Sequence, residues 1–116
     1  MCKNVLLPLY FSFAVINAAI RVPQTELYQE NGIWYDMNTN SPFNGIAYKT
    51  SDYSSILLQQ INYIDGIEWG KYYEWRPDGT KKVDGTYRSG LMHGRWKFFN
   101  ENGKIYCAGS YVEGAG

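Results

Sequence analysis

Two successive stretches decide the fold: residues 66–89, GIEWGKYYEWRPDGTKKVDGTYRS, and residues 90–113, GLMHGRWKFFNENGKIYCAGSYVE. Gly66, Gly90 and Gly114 recur with a period of 24, Gly70, Gly79 and Gly85 return as Gly94, Gly103 and Gly109, and Tyr63, Tyr87 and Tyr111 hold a further shared position. A reaction seldom needs one catalytic constellation twice at a fixed spacing, whereas stacked structural units need the same turns and packing residues in every copy. The repeat therefore predicts a non-enzymatic binding or scaffolding protein.

Each stretch reads as a β-hairpin. Gly70 to Trp75 leads into the turn Arg76-Pro77-Asp78-Gly79, where proline presets the first turn dihedral and glycine accepts a positive φ at the end. Gly94 to Phe99 leads likewise into Asn100-Glu101-Asn102-Gly103. A type I turn closed by a bulge places Arg76 opposite Thr80 and Trp75 opposite Lys81. Counting outward pairs Tyr73 with Val83, Lys71 with Gly85 and Trp69 with Tyr87. Antiparallel partners share a face, so the expected core face carries Trp75, Tyr73, Val83 and Tyr87 in one hairpin and Phe99, Ile105, Cys107 and Tyr111 in the next. Lys71, Arg95 and Lys97 interrupt that pattern. The other face carries Tyr72, Glu74, Lys82 and Asp84, then Trp96, Phe98, Tyr106 and Ala108, and varies more between copies. It is the expected partner surface, with Tyr72, Trp96, Phe98 and Tyr106 as its binding residues.

Working outward, Ile56 to Ile64 fits strand or helix by propensity, and the alignment of Tyr63 and Gly66 with Tyr87 and Gly90 selects strand. Residues 42–66 then form a degenerate first repeat, followed by 67–90 and 91–114, within a repeat domain spanning 42–116. Asp52 to Ser55 reads as a loop. Residues 20–41 form an extended lead-in with a first short strand at Ile33-Trp34-Tyr35, bounded by the breakers Asn31-Gly32 and Asn38-Thr39-Asn40-Ser41-Pro42. The fold class expected is all-β: an elongated single antiparallel sheet of consecutive hairpins.

Residues 1–19 carry one charge, Lys3, then the apolar run Val5 to Ile16 and the small pair Ala18-Ala19. That order is the one of a cleaved secretory signal peptide. A retained membrane anchor is the alternative, although Asn17 and Arg21 bracket a run shorter than the roughly 20 residues a spanning helix needs. The expected address is secreted or periplasmic. Removal of the segment takes Cys2 and leaves Cys107, which excludes an internal disulfide framework; Cys107 aligns with Val83 and reads as a small buried hydrophobe. The chain has 11 basic and 11 acidic residues. Near-neutral charge argues against nucleic acid, whose affinity rests largely on phosphate neutralisation.

His93 is the only histidine. A site of several imidazoles is therefore impossible, and no nucleophile beside His93 is set by the periodicity, so it reads as a solvent-facing turn residue rather than the base of a small hydrolase. No Ser-His-Asp order, phosphate-cradling glycine loop or paired cysteine ligands occur. No catalytic residue, cofactor or metal is expected. Aromatic residues make up 17% of the chain, which suits recognition of proteins or simply covers a thin sheet.

The segments Gly70-Lys-Tyr-Tyr-Glu-Trp-Arg-Pro-Asp-Gly79 and His93-Gly94-Arg-Trp-Lys-Phe-Phe-Asn-Glu-Asn-Gly103, with Gly85-Thr-Tyr87 and Gly109-Ser-Tyr111, resemble the MORN-repeat variant family, in particular bacterial proteins of the YwqK-type antitoxin group. The resemblance runs over about 30–116. It implies a curved sheet of hairpin repeats in which Gly70, Gly79, Gly85, Tyr87, Gly94, Gly103, Gly109 and Tyr111 are structural. It also implies two other readings, neutralisation of a toxin and association with a membrane surface; an export signal conflicts with the first and neutral charge disfavours the second. Only two copies are well formed and the sequence given stops at Val112-Glu-Gly-Ala-Gly116, so an open sheet edge is expected at Lys104 to Tyr111. Such an edge invites strand addition by a protein partner or a second copy.

Overall fold

The computed structural model describes residues 20–112. The segment read as a signal peptide, residues 1–19, and residues 113–116 at the end of the expected repeat domain lie outside the described residues. The chain is almost wholly β: β1 (Arg21–Pro23), a single 3-10 turn (Gln24–Glu26), β2 (Leu27–Glu30), β3 (Ile33–Asp36), β4 (Ser41–Pro42), β5 (Gly45–Thr50), β6 (Leu57–Ile64), β7 (Ile67–Trp75), β8 (Lys81–Arg88), β9 (Leu91–Phe99) and β10 (Ile105–Tyr111). Seven strands form one sheet in the order β1-β5-β6-β7-β8-β9-β10, and β2, β3 and β4 form a second, smaller one.

Two features differ from a single antiparallel sheet. β1 joins β5 in parallel while the other pairings are antiparallel, so the large sheet is mixed. Residues 20–41, expected to hold one short strand, hold three and the start of a fourth. The reason lies in Asn31-Gly32, whose φ values of 53° and 83° make a tight hairpin turn between β2 and β3. The dipeptides Asp65-Gly66 and Ser89-Gly90 have the same paired positive φ, 51° and 79°, then 53° and 82°. Two such residues make the turn whose twist matches the flanking strands.

The small sheet packs on one face of the large one. Leu27 and Phe43 share a buried cluster with Ala47, Ile61 and Tyr63, and the Tyr63 ring lies 5.8 Å from that of Phe43 and 6.2 Å from that of Trp34. Gly66 ties the layers together: it donates to the Phe43 carbonyl at 2.8 Å and accepts from the Trp34 amide at 2.8 Å. A Cβ there would stand 2.5 Å from Ile33 Cγ2, so docking of the small sheet requires glycine at this place.

The register corrects the expected faces. Arg76 donates to the Thr80 carbonyl and Trp75 sits opposite Lys81, as the turn residues predict. A bulge then intervenes, and Val83 faces Glu74 rather than Tyr73, Gly85 faces Tyr72 rather than Lys71, and Tyr87 faces Gly70 rather than Trp69. One extra residue on one strand shifts the pairing by one and reverses the faces of β7 relative to β8. Tyr72, Val83 and Tyr87 therefore share the packed face, while Tyr73 and Trp75 stand on the other. β9 and β10 are offset by a second bulge between Ile105 and Cys107: Phe98 faces Cys107, Trp96 faces Gly109, and Gly94 faces Tyr111. Cys107, predicted to be buried, is exposed, because β10 has no described strand on its outer side.

Beyond the small sheet the packed face is roofed by its own aromatic rings. The Trp96 ring stacks on Tyr72 at 5.5 Å, meets Tyr87 edge-on at 5.2 Å, and is flanked by Phe98 at 6.3 Å and Tyr111 at 6.5 Å. Its indole N–H donates to the Thr86 carbonyl at 3.0 Å. Trp96 lies over Gly85, where a Cβ would come within 2.2 Å of the ring. Gly85 does not have a positive φ, so the requirement for glycine is spatial rather than conformational.

Candidate functional site

Of the four expected partner-binding residues, three belong to the core. Tyr72 is 7% exposed and Trp96 2% exposed, and Phe98 packs half-buried against them. Tyr72 faces inward because the bulge in the first hairpin pairs it with Gly85, and Trp96 and Phe98 because the bulge in the second pairs them with Gly109 and Cys107. Tyr106 alone is open, at 66% exposure. It stands on β10, apart from the other three.

The Tyr72 hydroxyl links the packed face to a polar rim. It donates to Glu74 Oε2 and accepts from Gln59 Nε2 at 3.1 Å. Burial first, then the adjoining Glu74 carboxylate, pushes the Tyr72 phenol above its ordinary value. Burial also pushes Tyr63 up to about 12, against a hydrogen bond from Gln24 that lowers it. Tyr63 and Ile61 line a cleft of about 470 Å³ beside the small sheet, rimmed by Gln24, Lys49, Gln59 and Glu68. Its charged groups, Lys49 and Glu68, oppose one another in sign.

The opposite face of the large sheet has a different chemistry. The register puts Arg21, Lys71, Arg88, Arg95 and Lys97 on it, and Lys81 joins them by reaching Tyr73 and Asp84. Asp84 is the one strand carboxylate among them. It accepts from Lys71 Nζ at 3.2 Å and Lys81 Nζ at 3.1 Å. Burial raises the Asp84 carboxyl, but the two lysine hydrogen bonds outweigh it and hold the group below its ordinary value. Both ammonium groups also lie over the Tyr73 ring, at 5.4 and 4.9 Å from its centre, and Trp75 leans on Tyr73 at 5.5 Å. Arg21 covers the Tyr48 ring in the same way at 5.3 Å. A chain neutral overall thus gathers most of its described strand cations on one face, with Lys49 and Lys82 beside Glu74 on the other.

Sequence reasoning missed this surface although its signal was present. Lys71, Arg95 and Lys97 stood at alternate positions on the face expected to be core, and their charge marked that face as the outer one. His93, expected in a turn, lies within β9 opposite Thr86, half-buried, with no hydrogen-bond partner for Nδ1. Among the described residues no group of three His, Cys, Asp or Glu is placed to hold a metal ion. No known protein family, curated protein or solved structure matches the chain.

Proposed function

We propose that this chain is an exported, non-enzymatic protein-binding module built of MORN-like hairpin units, 42–66, 67–90 and 91–114, whose partner docks along β10. The observation that carries the reading is the contrast between the two edges of the large sheet. β1 is three residues long and contains Pro23, and short strands with proline are how edges are protected from pairing. β10 is seven residues long, is exposed at Ile105, Tyr106 and Cys107, and pairs with β9 on one side among the described strands. The regular recurrence of glycine and aromatic residues supports the repeat reading. The resemblance to MORN-repeat variants points the same way, and the apolar run of residues 1–19 supports export.

A photoreactive residue placed at Tyr106 in the full chain, expressed in its own cells, tests the reading. The expected result is a covalent adduct with a second polypeptide, absent when the same group replaces Tyr53, which is 98% exposed in the 52–55 loop. Equal labelling from both positions, or no polypeptide adduct from Tyr106, overturns it. Sequencing the native N-terminus tests export, with cleavage after Ala18 or Ala19 as the expected outcome.

A further inference from the structure

Comparing equivalent positions of successive repeats shows what β10 lacks. Trp96 lies flat over Gly85 on the strand before its own. Gly109, the counterpart of Gly85 one repeat later, faces the same side of the sheet and likewise lacks a positive φ. Among the described residues no ring overlies it as Trp96 overlies Gly85: Gly109 is half-buried, and the nearest atom to a Cβ built there is Tyr111 Cε1, in ordinary contact at 3.7 Å. The backbone there leaves room for a ring beside Trp96 and Tyr111 that Gly85 no longer has.

The basic face shows a matching gap. One repeat further along, Lys71 becomes Arg95 and Asp84 becomes Ala108. In the first hairpin the Asp84 carboxylate is shared between Lys71 and Lys81. In the second, Lys97 pairs in register with Ala108 on β10 and with Asp84 on β8, and Arg95 pairs with Ser110; Asp84 is bound to Lys71 and Lys81, and neither Lys97 nor Arg95 forms an ion pair among the described residues. Strands lie about 4.8 Å apart. A strand added to β10 would thus stand about 10 Å from β9, within reach of a lysine or arginine side chain passing over alanine and serine.

We propose that the outer edge of β10 binds an extended segment of another protein that alternates in character: an aromatic residue on one face, seated on Gly109, and acidic residues on the other, paired with Arg95 and Lys97. This deepens and rests on the reading of β10 as a protein-docking edge. Backbone pairing along the edge supplies affinity, and the two faces supply specificity. A second copy of the chain does not fit. Neither edge strand contains an acid: β10 reads IYCAGSY and β1 reads RVP. A single-stranded nucleic acid fits less well, since it needs free ring faces for base stacking, and the rings of Tyr73 and Tyr48 on this face are covered by Lys71, Lys81 and Arg21.

The test uses the full chain and a fluorescent peptide in which glutamate alternates with valine and one central valine is replaced by tryptophan. A second peptide carries lysine for glutamate, and a dodecamer of thymidine serves as the third probe. The glutamate peptide should bind, protect the β10 amides from hydrogen exchange, and weaken steeply with salt. Ala108→Asp, which transfers the carboxylate of the first hairpin to the second, should reduce its affinity about tenfold, as should the pair Arg95→Glu with Lys97→Glu. Gly109→Val fills the seat of the ring and should weaken binding by a similar factor, and each variant should retain the parent near-ultraviolet spectrum. Equal binding of the lysine peptide, tighter binding of the oligonucleotide, or unchanged affinity in folded Ala108→Asp overturns the proposal. No binding of any peptide also overturns it; if Tyr106 still crosslinks to a polypeptide, only the stated partner chemistry fails and the docking edge stands.

Discussion

The hairpins β7–β8 and β9–β10 are written alike and completed differently. In the first, Gly85 is roofed by an indole from the next strand and Asp84 holds two lysines. In the second, Gly109 carries no roof and Ala108 stands where the carboxylate stood. Val83 is buried and its counterpart Cys107 is exposed. In a sheet with a thin aromatic cover, a strand's burial is set by the neighbour that reaches across it, and only secondarily by its own residues. β8 has β9 to cover it; β10 has no such described neighbour.

The largest effect should come from removing the shared roof. Trp96→Ala is expected to lose about 3–5 kcal/mol of unfolding free energy in urea titration, the range for truncating a buried tryptophan; a loss below about 1 kcal/mol would mean that the ring is not the keystone of this face. The sharpest contrast is between equivalent glycines. Gly85→Ala drives a methyl into the indole and should cost about 1–3 kcal/mol, whereas Gly109→Ala, on an open strand, should stay within about 0.5 kcal/mol of the parent. Equal costs at the two sites would break the comparison.

Smaller changes refine it. Tyr72→Phe removes the hydroxyl between Gln59 and Glu74 and should cost about 1 kcal/mol, the ordinary net worth of such a bond. For Asp84 the sign is that of a depressed carboxylate: its contribution is present above the ordinary value of 3.8 and is lost as pH falls through the lower folded value. Its lysine partners are well exposed, so Asp84→Asn should cost less than about 1 kcal/mol at neutral pH, and the gap between parent and variant should close in acid. Acid titration of Ala108→Asp should show the same step if the second hairpin can adopt the arrangement of the first.

Much of the fold was legible because turns announce themselves locally. Arg76-Pro-Asp-Gly79 and Asn100-Glu-Asn-Gly103 close where their residues require, with Arg76 N to Thr80 O at 2.9 Å and Asn100 N to Lys104 O at 2.8 Å. The strand over Leu57–Ile64 was legible through Tyr63 and Gly66. The faces were legible only in the alternate charges of Lys71, Arg95 and Lys97, which conflict with counting outward from the turn; the bulge that resolves the conflict adds one residue without a distinctive mark in Lys81-Lys82-Val83. The parallel pairing of Arg21–Pro23 with β5 and the second sheet were equally hidden, since both depend on where a polar lead-in returns after two tight turns.

By itself, the sequence determined that this chain is built of β-strands separated by glycine turns, with glycine and tyrosine positions recurring at one fixed period. That much follows from φ values and turn chemistry, which neighbouring residues dictate. Tertiary structure decided the register that puts Tyr72 and Trp96 in the core, and that a ring overlies Gly85 but not Gly109 among the described residues. Those outcomes depend on register across strands, where one bulged residue reverses the faces of one strand relative to its partner, and on which neighbour is present to lay a ring over the backbone.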